Sequence, residues 1–241
     1  MKFIIVKDYD EMSLKASDII KDLLIKKPDA TLGLATGSSP IGIYKNLIKA
    51  NRNGEISFKD VKTYNLDEYC NLPKSHPESY YSFMHRNLFS EVDINEENVH
   101  IPNSEGDDLQ ALCDEYNELL HKATIDIQLL GIGANGHIGF NEPHTPFDQE
   151  TWVVELTEKT RKDNQRFFNS LDEVPTHAMT MGIKNIMQAK KLLLVASGKN
   201  KAEAMKRLYD GEVTEDFPAS ILHNHPDAIV ICDSEAASLI K

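Results

Sequence analysis

Residues 131–143, GIGANGHIGFNEP, combine an imidazole and a carboxylate with several glycines, and these residue types suit acid–base chemistry. An imidazole is the side chain suited to exchange protons near neutral pH, and Glu142 is close enough in sequence to orient or polarise the ring of His137. Glycines in such a segment permit positive φ angles and close approach of the backbone to a ligand. Most isolated histidines are structural or solvated, but a reactive group fits so glycine-rich a segment better. A zinc site needs at least three converging ligands and this segment offers at most two, so a metal site is not indicated.

A second candidate is the adjacent pair Asp67 and Glu68, which follows the segment VKTYNL at residues 61–66. A carboxylate that is desolvated in a pocket becomes basic enough to remove a proton near neutral pH, so the pair could supply a general base. Such a pair is also typical of the N-cap and first turn of a helix, where acidic residues complement the helix dipole. Taken alone the pair favours the helix interpretation, and both remain open.

A third candidate is the hydroxyl-rich segment TGSSP, which lies between an apolar run and a helical pattern. We expect Ser38 or Ser39 at the N-cap of the following helix and Pro40 in its first turn. Such a turn directs backbone N–H groups and hydroxyls at one point, where the helix dipole favours an anion such as phosphate. A capped turn without a ligand is equally consistent with the pattern. A Walker lysine and a G-x-G-x-x-G pattern are both missing, so nucleotide binding is not indicated.

The elements that must position these residues alternate between short apolar runs and amphipathic helical patterns. Apolar runs of this kind suit strands covered on both faces, as in a parallel sheet. The alternation predicts an α/β fold, an open, mostly parallel Rossmann-like sheet with helices on both faces. In such a sheet ligands bind at the carboxyl ends of the strands, where all three candidate segments lie. The expected strands are residues 2–6, 31–35, 61–65, 125–131, 151–156, 191–196 and 228–232, and the clearest helices are residues 10–26, 109–122 and 201–209.

Composition limits the possible partners and the compartment. The 241 residues include 26 Lys and Arg against 38 Asp and Glu, a formal net charge of −12, which disfavours nucleic acid and anionic membrane surfaces as partners. A local pocket of N–H groups and cations can still bind a small phosphorylated molecule.

The sequence also indicates the compartment. The apolar run at the N-terminus is too short for a signal peptide, and no apolar stretch is long enough to form a transmembrane helix. The cysteines Cys70, Cys113 and Cys232 are odd in number and widely spaced, which indicates a reduced, cytoplasmic protein. With no repeat or linker in view, we predict a single domain over residues 1–241.

Five segments together resemble the glucosamine-6-phosphate deaminases in content and order, and the similarity extends over nearly the whole chain. The string GHIGFNEP is highly specific, and its occurrence with the other four makes chance a poor explanation. The resemblance implies conversion of glucosamine 6-phosphate to fructose 6-phosphate and ammonia, by ring opening, aldose–ketose isomerisation and deamination, with no metal or organic cofactor. The segments are residues 34–40, 65–69, 131–143, 160–168 and 197–201.

The resemblance also implies a role for each candidate residue. Asp67 would move the proton from C2 to C1 of the open-chain sugar, and His137, oriented by Glu142, would open the ring by proton transfer at its oxygen. The substrate phosphate would be held by N–H and hydroxyl donors and by two cations, which would offset the acidity of the protein. These phosphate-binding residues would be Thr36, Gly37, Ser38, Ser39, Arg166 and Lys201.

Departures from the family pattern bear on tuning and regulation. Asn135, counted here among the catalytic residues, replaces an aspartate found in many members; its amide can hydrogen-bond the histidine but cannot stabilise an imidazolium by charge. Some relatives are hexamers activated by an acetylated sugar phosphate through basic residues that the segment TWVV at 151–154 does not contain. This chain also ends soon after Asp233, without their longer C-terminal segment. We therefore expect a non-allosteric monomer or small homo-oligomer.

Other classes of protein remain as alternatives. A 6-phosphogluconolactonase-like hydrolase shares a glycine–histidine loop but is not expected to carry FNEP together with NLDEY. A non-catalytic sugar-phosphate sensor would keep the phosphate loop, lose the acid–base residues and normally carry a helix-turn-helix segment. A silent relative of the enzymes is the third alternative.

Overall fold

A parallel sheet forms the centre of the computed structural model, which describes residues 1–158, 161–162, 165 and 168–240. The strand order is β1-β10-β9-β6-β2-β3-β5, and each neighbouring pair is parallel. This confirms the predicted open, mostly parallel sheet. The strands are β1 Lys2–Val6, β2 Thr31–Leu34, β3 Lys62–Asn65, β4 Asp67–Tyr69, β5 Val99–His100, β6 Ile127–Leu130, β7 Trp152–Glu155, β8 His177–Thr180, β9 Leu192–Ala196 and β10 Ala228–Asp233.

Helices cover both faces of this sheet. The buried residues of α1 and α2 pack on one face, and those of α4 and α6 pack on the other. Strand β9, with the sequence LLLVA, is continuously apolar because helices cover both of its faces. Leu193 packs on the face that α1 and α2 cover, and its neighbours Leu192 and Leu194 pack on the face that α4 and α6 cover. The described α-helices are α1 Tyr9–Lys26, α2 Ile41–Arg52, α3 Tyr80–Asn87, α4 Leu109–Lys122, α5 Ile183–Ile186 and α6 Ala202–Asp210.

A small antiparallel sheet of β4, β8 and β7 lies beside the central sheet and was not predicted. The expected strand at residues 151–156 belongs to this second sheet as β7. Asp67 and Glu68 lie on β4, where Asp67 pairs with Thr180 of β8, so their interpretation as a helix start is wrong. The pairing joins residues far apart in sequence, and a strand of three residues is too short to show a period-two pattern.

The remaining differences from the sequence-based expectations are small. The expected helix at 109–122 has these bounds in α4, and the expected strand at 125–131 shortens to β6. Strands β5 and β8 were not predicted from the sequence. Among the described residues, no helix is both long enough and apolar enough to cross a lipid bilayer.

Candidate active site

The candidate segments converge because the strands that lead into them are neighbours. In the order β9-β6-β2-β3, each strand is followed at its carboxyl end by one of the segments singled out from the sequence. On one side of β2 the chain adds β3 and then β5 to the sheet. On the opposite side, beyond β6, it adds β9 and then β10. The crevice between β2 and β6 is therefore the switch point of the sheet, where α/β proteins of this type bind their ligands.

His137 is held by a relay of hydrogen bonds through Asn135 to Glu142. Asn135 Nδ2 donates to Glu142 Oε2 at 2.6 Å, so Asn135 Oδ1 faces the imidazole, 2.7 Å from His137 Nδ1. Glu142 Oε1 is 3.5 Å from the same Nδ1. Because an amide oxygen only accepts, Nδ1 carries the proton and Nε2 keeps its lone pair, free to act as a base. The structure thus brings three of the predicted catalytic residues together, with Asn135 in the central position.

Glycines shape this segment in two ways. Gly136 has φ +87°, and a Cβ there would come within 2.1 Å of the Phe217 ring. Gly133 has no room for a side chain because the His137 ring lies against it, 2.2 Å from where a Cβ would be. The imidazole therefore rests on bare backbone at Gly133, while the turn before it is fixed by packing against Phe217.

Asp67 is the buried carboxylate next to this segment. Its side chain is 6% exposed, and burial, together with the nearby charge of Glu68, raises its pKa to about 8. Asp67 Oδ2 is 3.5 Å from where a Cβ of Gly139 would be, which places the carboxylate against the backbone two residues after His137. A carboxyl with this pKa is partly ionised near neutral pH and is a much stronger base than an exposed aspartate.

Glu68 has a different environment and a structural role that sequence reasoning missed. Its carboxylate accepts N–H groups from Tyr69, Tyr80 and Tyr81, each at 2.8 Å. Burial raises the pKa of Glu68, and the three N–H donors offset part of that rise. Two of the donors lie in the first turn of α3, so Glu68 fixes the start of that helix while Asp67 stays available to a substrate.

Asn141 and Thr180 anchor the segment after His137 to the small sheet. The Asn141 amide donates to the carbonyls of Ile138 and Met181, each at 2.9 Å, and accepts the Trp152 indole N–H at 3.2 Å. Thr180 Oγ1 accepts the N–H of Phe140 at 3.1 Å. Asn141 belongs to the FNEP string and could have been singled out there, whereas Thr180 had no sequence signal.

The segment from Thr36 to Ser39 forms an open turn between β2 and α2. Gly37 has φ +91° and is exposed, like Ser38. Among the described residues, no acceptor is found for the N–H groups of these four residues. Helix α2 begins at Ile41 with Pro40 at its N-cap position, and this residue has no side-chain capping bond, so the expected serine N-cap is wrong. The unsatisfied N–H groups at this end of the helix suit an anion.

Lys201 follows β9 at the same edge of the sheet. Burial lowers the pKa of its ammonium group, and among the described residues no carboxylate forms an ion pair with it. Its segment is fixed by Asp233, whose carboxylate accepts the N–H of Gly198 and the hydroxyl of Ser197. The other predicted cation, Arg166, lies outside the described residues.

No cluster of three or more His, Cys, Asp or Glu side chains suited to a metal ion is present in the described part of the chain.

Comparison with known proteins places the chain among sugar-phosphate enzymes. A family model for glucosamine-6-phosphate isomerases/6-phosphogluconolactonase matches residues 9–231. The glucosamine-6-phosphate deaminase of Thermoanaerobacter pseudethanolicus is 54% identical over 241 residues, which are 100% of this chain and 95% of the relative. That of Lysinibacillus sphaericus is 53% identical over 232 residues, 96% of this chain and 98% of the relative.

Solved structures agree with this placement. A monomeric glucosamine-6-phosphate deaminase superposes with a TM-score of 0.96 at 48% identity, over 99% of this chain and 100% of its own. The 6-phosphogluconolactonase of Trypanosoma brucei, only 17% identical, shares the fold with a TM-score of 0.81 over 100% of this chain and 98% of its own. The family model matches most of the chain, and the relatives are similar to it over nearly their whole length. The chain therefore belongs to the glucosamine-6-phosphate isomerase/6-phosphogluconolactonase family.

Proposed function

We propose that this protein converts glucosamine 6-phosphate to fructose 6-phosphate and ammonia. The observation that carries the proposal is the buried carboxylate of Asp67 beside the relay of His137, Asn135 and Glu142. One site thereby offers a strong carboxylate base and an imidazole with a free Nε2, the two groups that ring opening and enolisation require.

Ring opening is assigned to His137. Its Nε2 accepts the proton of the C1 hydroxyl and returns it to the ring oxygen as the C1–O5 bond breaks, giving the open-chain aldehyde. In the neutral ring, the Nδ1–H bond to Asn135 fixes the tautomer that leaves the Nε2 lone pair available. The imidazolium that forms in passing is stabilised by the nearby Glu142 carboxylate.

Isomerisation and deamination are assigned to Asp67. Its carboxylate removes the C2 proton of the open-chain sugar while the C1 carbonyl oxygen takes up a proton, which gives an enolamine. The carboxylic acid then delivers a proton to C1, and the nitrogen gives up a proton in place of the one taken up by the C1 oxygen. The product is the imine of fructose 6-phosphate at C2. Water adds to this imine and ammonia leaves, which makes the overall reaction an isomerisation followed by hydrolysis. Each step can be catalysed by proton transfer alone, so no metal or organic cofactor is proposed.

Phosphate binding is assigned to the turn between β2 and α2 and to cations around it. The N–H groups and hydroxyls of the turn provide directed donors, and Lys201 is a half-buried cation with no carboxylate partner among the described residues. Both features favour a dianion in a protein with a formal charge of −12. The assigned residues are Thr36, Gly37, Ser38, Ser39, Arg166 and Lys201.

We further propose the setting in which this enzyme acts. A single domain over residues 1–241, monomeric or in a small homo-oligomer, is supported by the match to a monomeric relative over 99% of this chain. The three cysteines are buried and unpaired, which supports a reducing, cytoplasmic location. A role in N-acetylglucosamine catabolism is proposed from the amino-sugar substrate. Residues 151–154 contain no Arg or Lys, so N-acetylglucosamine 6-phosphate is not expected to activate the enzyme.

The experiment compares two phosphorylated substrates on the same chelator-treated protein. We expect fructose 6-phosphate to form from glucosamine 6-phosphate, at a rate unaffected by N-acetylglucosamine 6-phosphate, and no acceleration of 6-phosphogluconolactone hydrolysis. Hydrolysis of the lactone alone would replace the proposal with a lactonase. Binding of both sugar phosphates without turnover would indicate a sensor, and activation by the acetylated sugar would contradict the absence of allostery.

A further inference from the structure

Helix α2, which carries the proposed phosphate-binding turn at its amino end, is capped from another helix. No side chain near Pro40 caps α2. Instead the hydroxyl of Tyr9, the first residue of α1, accepts the N–H of Gly42 at 2.8 Å. The same hydroxyl donates its proton to the carbonyl of Ser38 at 3.0 Å. One oxygen from α1 therefore joins the phosphate-binding turn to the first turn of α2.

Gly42 lets α1 come close enough for this contact. A Cβ at Gly42 would lie 2.3 Å from Ser13 Oγ and 3.0 Å from the Tyr9 ring. The glycine therefore serves close approach of two helices, and the half-buried Tyr9 ring fills the remaining space beside it. The contact is built into the packing of α1 against α2, and a mobile surface side chain would not reproduce it.

The bond to Ser38 sets the direction of a donor in the turn. In a trans peptide the C=O and the following N–H point in opposite directions. Holding the Ser38 carbonyl toward Tyr9 therefore directs the Ser39 N–H to the opposite side of the turn. That N–H has no acceptor among the described residues, and neither do those of the three residues before it. The bond from the Tyr9 hydroxyl also holds the Ser38 carbonyl on the side of the turn opposite to the Ser39 N–H.

We propose that Tyr9 is a positioning residue for phosphate binding: it fixes the Ser38–Ser39 peptide so that the turn presents donors, and no carbonyl, to the substrate phosphate. This inference rests on the proposed function for the identity of the anion. Tyr9 acts through the turn and takes no part in proton transfer. Its loss should weaken phosphate binding and leave the chemical step intact, because pre-organised donors are worth more than donors that must be ordered on binding.

A purely structural cap would behave differently. Losing a cap lowers the stability of the fold but leaves ligand affinity unchanged at temperatures where the protein is fully folded. The variant Tyr9→Phe keeps the ring against Gly42 and removes only the hydroxyl. The matched control is Tyr209→Phe, because Tyr209 is 46% exposed and its hydroxyl has no bond among the described residues.

The test measures binding of inorganic phosphate by calorimetry and steady-state turnover of glucosamine 6-phosphate for wild type and both variants. For Tyr9→Phe we expect Kd for phosphate and KM for the sugar phosphate to rise together by about 5- to 20-fold, with kcat changed less than about two-fold. Tyr209→Phe should match wild type. A lower unfolding temperature with unchanged Kd and KM would overturn the inference, and so would a loss confined to kcat. Because phosphate binding is measured without turnover, an inactive wild type would contradict the proposed function and still leave this inference tested.

Discussion

Asp67 and Glu68 are adjacent carboxylates whose surroundings give them different chemistry. Glu68 accepts three backbone N–H bonds and is tied to the start of α3. Asp67 is buried without a hydrogen-bond donor among the described residues, and burial raises its pKa to about 8. Its hydrogen bonds give Glu68 a structural role, whereas desolvation makes Asp67 a base.

The raised pKa of Asp67 predicts a pH-dependent cost in stability. Between its ordinary pKa of 3.8 and the folded value of about 8, the folded protein keeps a proton that the unfolded chain releases. The stabilising contribution is therefore complete below about pH 4 and is lost as the pH rises to about 8. We expect Asp67→Asn to gain stability over wild type as the pH rises, with a gap about 4 kcal/mol larger at pH 8.5 than at pH 5.

Thermal unfolding of both proteins across this range checks the prediction. Other groups titrate in both proteins, so the difference isolates Asp67. A gap that is constant with pH, or that is widest at pH 5, would contradict the raised pKa.

Asn135 is the central link of the His137 relay, and its acceptor oxygen matters more than its lack of charge. The change Asn135→Ala removes both the bond to His137 Nδ1 and the donor to Glu142. We expect kcat to fall by about 10²-fold, because the imidazole loses its orientation and its fixed tautomer. The change Asn135→Asp keeps an acceptor for Nδ1–H, so we expect kcat within about 10-fold of wild type.

Steady-state turnover of glucosamine 6-phosphate by the two variants provides the measurement. Equal losses in both variants would show that the amide, and not an acceptor at this position, is what the site requires.

At the scale of elements, the site depends on loops whose shape comes from contacts between distant segments. The turn before His137 packs against Phe217, and the Gly136 carbonyl accepts the N–H of Ala219 at 2.9 Å. Asn141 ties the following residues to β7 and β8. The loop that carries His137, Asn135 and Glu142 is thus fixed by the small sheet and the segment around Phe217.

Gly136 and Gly131 form a matched pair for testing this dependence. Gly136 has φ +87° and its Cβ would meet the Phe217 ring, whereas a Cβ at Gly131 meets nothing within 4 Å and its φ is not left-handed. We expect Gly136→Ala to lower the free energy of unfolding by about 2–4 kcal/mol, and Gly131→Ala to change it by less than about 1 kcal/mol.

Denaturant titration of the two variants measures both effects. Similar stabilities would show that the turn before His137 rearranges easily, and the packing against Phe217 would then not define it.

Which elements could be predicted follows from where their signals lie. Strands β9 and β10 of the central sheet are mainly apolar because both of their faces are covered, and this pattern is local to each strand. Strand β4 has no such pattern, since Asp67 finds its partner Thr180 only in the folded chain. The same applies to the serine N-cap: sequence spacing favoured Ser38 or Ser39, but Tyr9 from α1 takes the N–H of Gly42 instead.

At the scale of the whole molecule, the reactive groups gather at the carboxyl ends of the strands, and an ion cluster around the buried Asp126 holds the opposite ends. Asp126, just before β6, accepts Lys27 Nζ at 2.6 Å, the Thr31 N–H at 2.9 Å and Lys190 Nζ at 2.9 Å. Burial alone would raise the pKa of Asp126, but the bonds from Lys27, Thr31 and Lys190 outweigh it and lower the pKa. The cluster joins the amino ends of β2, β6 and β9.

Asp126→Asn should therefore reduce stability without affecting catalysis. We expect a loss of about 1–3 kcal/mol at pH 7, with kcat and KM unchanged. Because the folded pKa is lowered, this contribution is present above the ordinary carboxyl pKa and disappears as the pH falls through the folded value. The control Asp227→Asn removes a pair with Lys191 in which the Asp227 side chain is 50% exposed, and should cost less than about 1 kcal/mol.

Denaturant titrations at pH 7 and near pH 3 measure these differences. An undiminished loss near pH 3, or a fall in kcat at pH 7, would contradict the assignment of Asp126 as a remote structural anion.

The position of the site in the molecule could be predicted from the sequence, and its internal contacts could not. Segments rich in Gly, Ser, His and Asp at the ends of apolar runs indicate the carboxyl edge of a parallel sheet. Tertiary packing determines which N–H groups bind Glu68, which groups bind Asn141 and how Tyr9 contacts the turn. No local sequence pattern predicts these contacts.

The central claim is that one acid–base site both isomerises and deaminates the sugar. The most direct measurement follows ammonia and fructose 6-phosphate together, from glucosamine 6-phosphate, with wild type and with Asp67→Asn. We expect wild type to release the two products in equal amounts at every time point, and Asp67→Asn to release both about 10³-fold more slowly. Ammonia without fructose 6-phosphate would contradict the coupled isomerisation and deamination. A variant as active as wild type would contradict the assignment of Asp67 as the base.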